Sequence, residues 1–173
     1  MTTTNEMSDE FVEKIWTEIG SIQGKSKVDS LAKSFFKKQG DLAEYILAMT
    51  EDLGEEAHGL AFYLGIVIWS CYDRYFQGNL KKINDKTILK IHEKFESELD
   101  KLEFVDERFI EKRIKNKSDY TQPSILKYIV EALFENDDEE LNLTSDQQGM
   151  IFIILSTQMK CLDQAALAKE DSK

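Results

Sequence analysis

The sequence predicts an all-α fold, a single-domain bundle of about seven or eight helices. Apolar residues recur at helical spacing along most of the chain, and no segment sustains the alternation of apolar and polar residues that is typical of a strand. The chain has one proline, and most of its eight glycines stand between apolar-periodic segments, where they are expected to end helices. With 173 residues, 42% of them hydrophobic, one domain can bury a sizeable core.

The first three helices are short amphipathic segments with short connections. The first is predicted to begin at Ser8, whose hydroxyl can cap it, and to end before Gly24. The second covers about residues 26–38 and ends at Gly40, after which Asp41 is expected to cap the third. Each of these segments has one apolar face, which predicts a position on the outside of the bundle.

The fourth helix, near residues 55–77, is predicted to be the central helix of the bundle. It contains the stretch GLAFYLGIVIWSCY, residues 59–72, which has no charged side chain. These 14 residues rise about 21 Å as a helix, less than the roughly 30 Å hydrocarbon core of a bilayer, so a buried helix is favoured over a membrane span. The internal glycines Gly59, Gly65 and Gly149 are expected to permit close packing between helices.

The remaining helices follow from capping signals. Asp85 is expected to cap a fifth helix, but the pattern does not decide whether residues 85–117 form one helix or two. Pro123 suits the first turn of the next helix, where its missing N–H is not needed. Thr144 and Gln147 form the capping-box pattern T-x-x-Q at the start of a long last helix.

The predicted domain organisation is one helical domain, residues 8–168, between flexible tails at 1–7 and 169–173. The N-terminal segment has neither a basic region nor an apolar run of the kind found in signal peptides. Cys71 and Cys161 lie in apolar surroundings without C-x-x-C spacing, which predicts buried, reduced thiols. A cytoplasmic location is therefore expected.

The charge balance favours a basic partner. The chain carries 33 acidic and 22 basic residues, for a net charge of −11, and only three of the basic residues are arginines. An acidic, arginine-poor protein repels phosphate backbones and anionic lipid, so neither nucleic-acid binding nor membrane insertion is predicted. Oligomeric state is not indicated by the sequence.

The first functional hypothesis is a non-enzymatic protein that acts by binding another protein, with an inhibitor or immunity-type role against a basic partner as its sharpest form. Two acidic segments are the candidate contact surfaces, because charge complementarity steers association. Their members are Glu51, Asp52, Glu55, Glu56, Asp137, Asp138, Glu139 and Glu140.

The second hypothesis is a metal-dependent helical-bundle enzyme that uses Glu55, His58 and His92. Glu55 and His58 have the i, i+3 spacing found in di-metal carboxylate bundles, but no second such pair occurs. His92 lies on an apolar stripe, where a histidine at the edge of the core is the more common case. The chain has no nucleophile elbow and no glycine-rich phosphate loop, so no cofactor is predicted and an enzyme is not favoured.

The third hypothesis is a small-ligand site in the aromatic interior around Trp69, Tyr72 and Tyr75. Such a site needs a cavity, and aromatic spacing does not distinguish a cavity from a filled core, which is the commoner arrangement. Asp73 and Arg74 interrupt this region and can pair with charges on other helices, line a polar pocket or reach solvent.

Overall fold

A computed structural model describes residues 6–21, 25–100, 121–135 and 142–170, and this part of the chain contains seven α-helices and no strand. The all-α prediction is therefore confirmed. The helices are α1 (Asp9–Gly20), α2 (Lys25–Lys38), α3 (Gly40–Thr50), α4 (Glu55–Tyr75), α5 (Asp85–Asp100), α6 (Pro123–Phe134) and α7 (Ser145–Glu170), and a 3-10 turn (Glu51–Leu53) joins α3 to α4.

Two long helices, α4 and α7, form the centre of the bundle. They pack on each other; α4 also contacts α1, α2 and α3, and α7 also contacts α3, α5 and α6. Every residue is buried from Leu64 to Tyr72 on α4 and from Ile151 to Met159 on α7. The uncharged stretch of α4 is thus enclosed from Leu64 to Tyr72, as its composition predicted, whereas Gly59 at its start is exposed.

The last helix, α7, is as apolar as α4 in the centre of the bundle. Its segment Ser145–Leu167 is long and apolar enough to cross a membrane by length and composition, a property that the sequence had suggested only for residues 59–72. Of the most apolar window of this segment, 72% is buried inside the bundle, an arrangement also found in the core helices of soluble proteins.

Three predicted helix starts are confirmed by their hydrogen bonds. The Ser8 hydroxyl accepts a bond from the backbone N–H of Phe11 (3.1 Å), and Pro123 occupies the first turn of α6. At the start of α7 the Thr144 hydroxyl accepts from Gln147 N (3.1 Å), and Gln147 Oε1 accepts from Thr144 N (2.8 Å). This reciprocal pair is a complete capping box.

Two predicted caps are wrong, Asp41 because its carboxylate bonds another helix and Asp85 because the preceding residue caps α5 instead. α3 begins at Gly40, so Asp41 lies in its first turn, and Asp41 Oδ2 accepts from the backbone N–H of Asp85 at the start of α5 (3.1 Å). α5 is capped by Asn84, whose Oδ1 accepts from Thr87 N (2.9 Å). The question of one helix or two over residues 85–117 falls largely outside the described residues.

The packing role predicted for the internal glycines holds for Gly65 and fails for Gly59. A Cβ at Gly65 would lie 2.8 Å from Ile46 Cδ1 of α3, and the Gly65 carbonyl accepts a bond from Gln158 Nε2 of α7 (2.8 Å). Around Gly59 no heavy atom lies within 4 Å of the corresponding position. Close approach of α3, α4 and α7 therefore depends on Gly65.

Candidate functional site

One predicted acidic segment forms a compact surface where α3 passes into α4. Glu51 and Asp52 lie on the 3-10 turn, Glu55 and Glu56 lie in the first turn of α4, and all four residues are exposed. Gly54 between them has φ +99°, a conformation that L side chains rarely adopt, and this lets the chain reverse direction between the two pairs. The structure thus brings four carboxylates together; we call this group the acidic turn.

The acidic turn is fixed to the bundle by hydrogen bonds on both sides. Gln147 Nε2 of α7 donates to the carbonyl of Leu53 (2.6 Å). The Thr50 hydroxyl, at the end of α3, donates to the carbonyl of Ile46 (2.7 Å) and lies 2.8 Å from His58 Nδ1. The backbone of the acidic turn is therefore held to α7 at Leu53, and Thr50 lies within hydrogen-bond distance of His58 on α4.

The charge of the acidic turn is not neutralised within the described part of the chain. None of its four carboxylates forms an ion pair with a described residue, and exposed Asp146 in the first turn of α7 adds a further negative charge. Helix dipoles favour the acids that begin α4 and α7. Glu51 and Asp52 lie between the C-terminus of α3 and the N-terminus of α4, where the two helix dipoles have opposite effects on a negative charge.

The second predicted acidic segment, Asp137, Asp138, Glu139 and Glu140, lies outside the described residues. The helices on either side are described, since α6 ends at Phe134 and α7 begins at Ser145. Gln148 Nε2 in the first turn of α7 donates to the carbonyl of Leu133 near the end of α6 (2.7 Å). The first helical turn of α7 also contains Gln147, which donates to the Leu53 carbonyl of the acidic turn.

The three candidate metal ligands have separate roles. Glu55 is exposed, and half-buried His58 has Nδ1 within hydrogen-bond distance of Thr50. His92 is 7% exposed, with Nδ1 2.6 Å from Tyr45 Oη and Nε2 3.4 Å from Glu96 Oε2. Within the described residues there is no group of three or more His, Cys, Asp or Glu side chains that could hold a metal ion.

His92 is a residue at the edge of the core, as its position on the apolar stripe of α5 predicted. Its ring contacts the Tyr45 ring edge to face, in addition to the hydrogen bond between Tyr45 Oη and His92 Nδ1. Burial raises the pKa of Tyr45 well above its ordinary value. The pair therefore joins α3 to α5 inside the bundle, which favours a structural role.

A buried carboxylate that sequence reasoning missed lies between the two central helices. Asp163 Oδ1 of α7 accepts hydrogen bonds from Tyr72 Oη of α4 (2.7 Å) and Thr121 Oγ1 (2.5 Å). Removal from water raises the pKa of this carboxyl, an effect that the two hydroxyl donors partly oppose. The only sequence signal was a single acid within an apolar run, and its partners are 91 and 42 residues away.

The aromatic trio of the third hypothesis occupies three different environments. Tyr72 is fully buried and bonded to Asp163, and Tyr75 packs edge to face on Phe11 and Phe76. Trp69 is 2% exposed and stacks on Phe35, yet it also lines a surface cleft of about 280 Å³. The interior around Tyr72 is thus packed.

The two charges that interrupt this region form ion pairs with other helices. Asp73 pairs with Lys38 of α2 (3.1 Å), and Arg74 pairs with Glu18 of α1 (3.0 Å). Asp73 also lines the cleft beside Trp69. Pairing with charges on other helices, one of the three arrangements considered from the sequence, thus occurs for both Asp73 and Arg74.

Comparison of the chain with models of known protein families, with curated protein sequences and with solved structures finds no match. Function is therefore argued from the described geometry alone.

Proposed function

We propose that the protein acts by binding a basic protein through the acidic turn, without catalysing a reaction. The observation that carries this proposal is the concentration of exposed negative charge in the acidic turn. Its four carboxylates are exposed and form no ion pair with a described residue. A basic surface on a partner would complement this charge.

The anchoring of the turn backbone supports the same proposal. The bond from Gln147 to the Leu53 carbonyl holds the backbone that carries the carboxylates against α7. An ordered backbone loses less conformational entropy on association than a flexible one. In the sharpest form of the proposal, the protein is an inhibitor or immunity-type protein that neutralises its partner, and Asp137–Glu140 extend the contact.

The test is comparative capture from lysate of the source cells with tagged wild type and two charge-matched variants. The first variant replaces the four carboxylates of the acidic turn by their amides. The second neutralises four exposed glutamates elsewhere, so that the total charge change is the same. Its substitutions are Glu10→Gln, Glu13→Gln, Glu44→Gln and Glu93→Gln.

A basic partner that wild type and the second variant retain, and that the first variant loses, would support binding through the acidic turn. The captured partner should be released by high salt, and its association rate should fall by tenfold or more in the first variant. Equal loss in both variants would mean that net charge alone acts. Full retention in the first variant would refute the assigned surface. Circular dichroism establishes that the variants remain folded.

The metal hypothesis has no comparable support, because Glu55, His58 and His92 do not form a three-ligand group within the described residues. Metal analysis of the purified protein checks it directly. Near-stoichiometric metal in the wild type and its loss from the His58→Ala variant would support the metal hypothesis.

A further inference from the structure

Helices α1 and α6 pack side by side, and an aromatic pair lies at their contact near the surface of the bundle. Trp16 of α1 stacks on Tyr128 of α6, with the ring centroids 5.0 Å apart and an angle of 24° between the ring planes. Both side chains are half-buried, so both are partly accessible to solvent. Within the described residues, neither ring stacks on a further aromatic ring or lies beneath a cation.

The starts of the two helices are joined by hydrogen bonds. Met7 N, just before α1, donates to Gln122 Oε1 (2.8 Å), and the Ser124 hydroxyl in the first turn of α6 donates to Asp9 Oδ1 (2.5 Å). Met7 is 1% exposed and Gln122 is 2% exposed, so this junction belongs to the folded bundle. The fold itself therefore brings the aromatic pair together, without a ligand between the rings.

Two carboxylates lie on the same helix faces as the aromatic pair. Glu13 is three residues before Trp16 on α1, a spacing at which side chains are neighbours on a helix surface. Glu131 has the same spacing from Tyr128 on α6. Burial raises the pKa of Tyr128, and the nearby negative charges of Glu13, Glu131 and Asp9 raise it further. The electrostatic field at the aromatic pair is therefore negative.

The lysines of α1 and α6 leave this negative charge uncompensated. Lys127 pairs with Asp9, with Nζ 4.0 Å from Oδ2, whereas Glu13 and Glu131 form no ion pair with a described residue. Lys14 is two residues from Trp16, and residues two apart on a helix do not face each other. We call the following group the aromatic–acidic patch: Glu13, Trp16, Tyr128 and Glu131.

We propose that the aromatic–acidic patch binds an arginine side chain of a partner protein, with the guanidinium against the Trp16–Tyr128 pair and its N–H groups directed at the two glutamates. A planar guanidinium can stack on an aromatic ring and donate to a carboxylate at the same time, whereas an ammonium is a compact, strongly hydrated charge. Tryptophan, tyrosine and arginine are also the residues that most often dominate the binding energy of protein interfaces. The patch shares no residue with the acidic turn, so this inference does not rest on the proposed function.

The indole N–H resonance of Trp16 provides a direct assay. The chain has two tryptophans, so a ¹H–¹⁵N correlation spectrum contains two indole signals, and Trp16→Phe assigns them. Titration with N-acetylarginine amide at constant ionic strength should shift the Trp16 signal saturably. The signal of Trp69, which is 2% exposed, should stay unchanged.

Two control probes separate charge from shape. N-acetylcitrulline amide has nearly the same shape as the arginine probe without its charge, and it should bind at least tenfold more weakly. N-acetyllysine amide has the same charge without the planar group, and it should bind several-fold more weakly. A shift that does not saturate below about 20 mM arginine probe, or equal binding of the citrulline probe, would overturn the proposal.

Two double variants with the same change in charge test the position of the site. Glu13→Gln with Glu131→Gln should weaken binding of the arginine probe about fivefold or more, because it removes both carboxylates of the patch. Glu44→Gln with Glu93→Gln neutralises two exposed glutamates on α3 and α5 and should leave the affinity unchanged. Equal affinity in the two double variants would show that no specific patch is involved and would overturn the proposal.

The two proposed surfaces can be tested separately. The amide variant of the acidic turn should bind the arginine probe as wild type does, and weaker binding would assign the effect to net charge instead of the patch. The capture control that contains Glu13→Gln should bind the arginine probe more weakly and still retain the partner of the acidic turn. Either proposal can therefore fail while the other holds.

Discussion

Two glycines on the same helix provide a test of how the central helices pack. Replacing Gly59 by Ala should stabilise the protein, because alanine is about 1 kcal/mol more favourable than glycine within a helix and the new methyl group meets no atom within 4 Å. Replacing Gly65 brings the same gain in helix propensity, but it places a Cβ 2.8 Å from Ile46 Cδ1 and 3.5 Å from Gln158 Oε1.

The expected difference between the variants follows from that contact. Ile46 is fully buried, so its methyl group cannot turn into solvent, and overpacking of this kind costs about 1–3 kcal/mol. The propensity gain is common to both variants and cancels between them. Gly65→Ala should therefore be less stable than Gly59→Ala by about 1–3 kcal/mol.

The assay is guanidinium unfolding followed by circular dichroism, with midpoint and slope fitted for each variant. A third measurement isolates the contact between the new Cβ and Ile46 Cδ1. In an Ile46→Val background, which lacks that methyl group, Gly65→Ala should lower the free energy of unfolding by less than it does in wild type. If Gly65→Ala is as stable as Gly59→Ala, or if Ile46→Val does not relieve it, the close approach of α3 and α4 at Gly65 is refuted.

Two further predictions concern buried titratable groups. Asp163→Asn keeps the Oδ1 acceptor for Tyr72 and Thr121 and removes the ionisable group. Because burial raises the pKa of Asp163, the free energy of unfolding of the wild type should fall as pH rises from about 4 through that pKa. The variant should not show this fall. Parallel pH profiles of the unfolding free energy in the two proteins would contradict the prediction. Burial also raises the pKa of the Cys71 and Cys161 thiols to about 12, so both should resist a thiol reagent at pH 8 until denaturant is added. Rapid stoichiometric labelling of the native protein would be inconsistent with this burial.

Local sequence signals predicted the helices and two of the caps. Ser8 caps α1 and Thr144 pairs with Gln147, because each bond joins residues three positions apart. Asp41 failed as a cap because its carboxylate accepts from the backbone of Asp85 across 44 residues, and nothing in a local pattern indicates that partner. Asp85 failed because its neighbour Asn84, which is also a good capping residue, caps α5 instead.

Partners that are distant in sequence also limit what can be predicted about the candidate sites. Exposure of the acidic turn followed from its composition, but the bond from Gln147 that fixes it spans 94 residues. Gln39 reads in the sequence as a polar residue between two helices, yet it is almost completely buried and its amide bonds the backbone of Lys81 and Ile83. Gly59 follows the polar start of α4, whereas Gly65 lies within its apolar run, and this difference agrees with the exposed and packed positions of the two glycines.

The charged residues at the two ends of α4 differ in their ion pairing. Near the C-terminus Asp73 and Arg74 pair with Lys38 and Glu18, whereas the four carboxylates at the N-terminus have no ion-pair partner within the described residues. Exposed ion pairs contribute only about 0–1 kcal/mol, so fold stability does not require this difference. The difference in ion pairing mainly changes the electrostatic potential at each end of α4.

The two ends of α4 are far enough apart for their charges to act independently. The 21 residues of the helix span about 31 Å, nearly four times the roughly 8 Å screening length at physiological salt. Neutralising the four carboxylates of the acidic turn should therefore leave the ion pairs of Asp73 and Arg74 unchanged. A loss of those ion pairs on neutralisation would instead indicate that the substitutions alter the packing of the bundle.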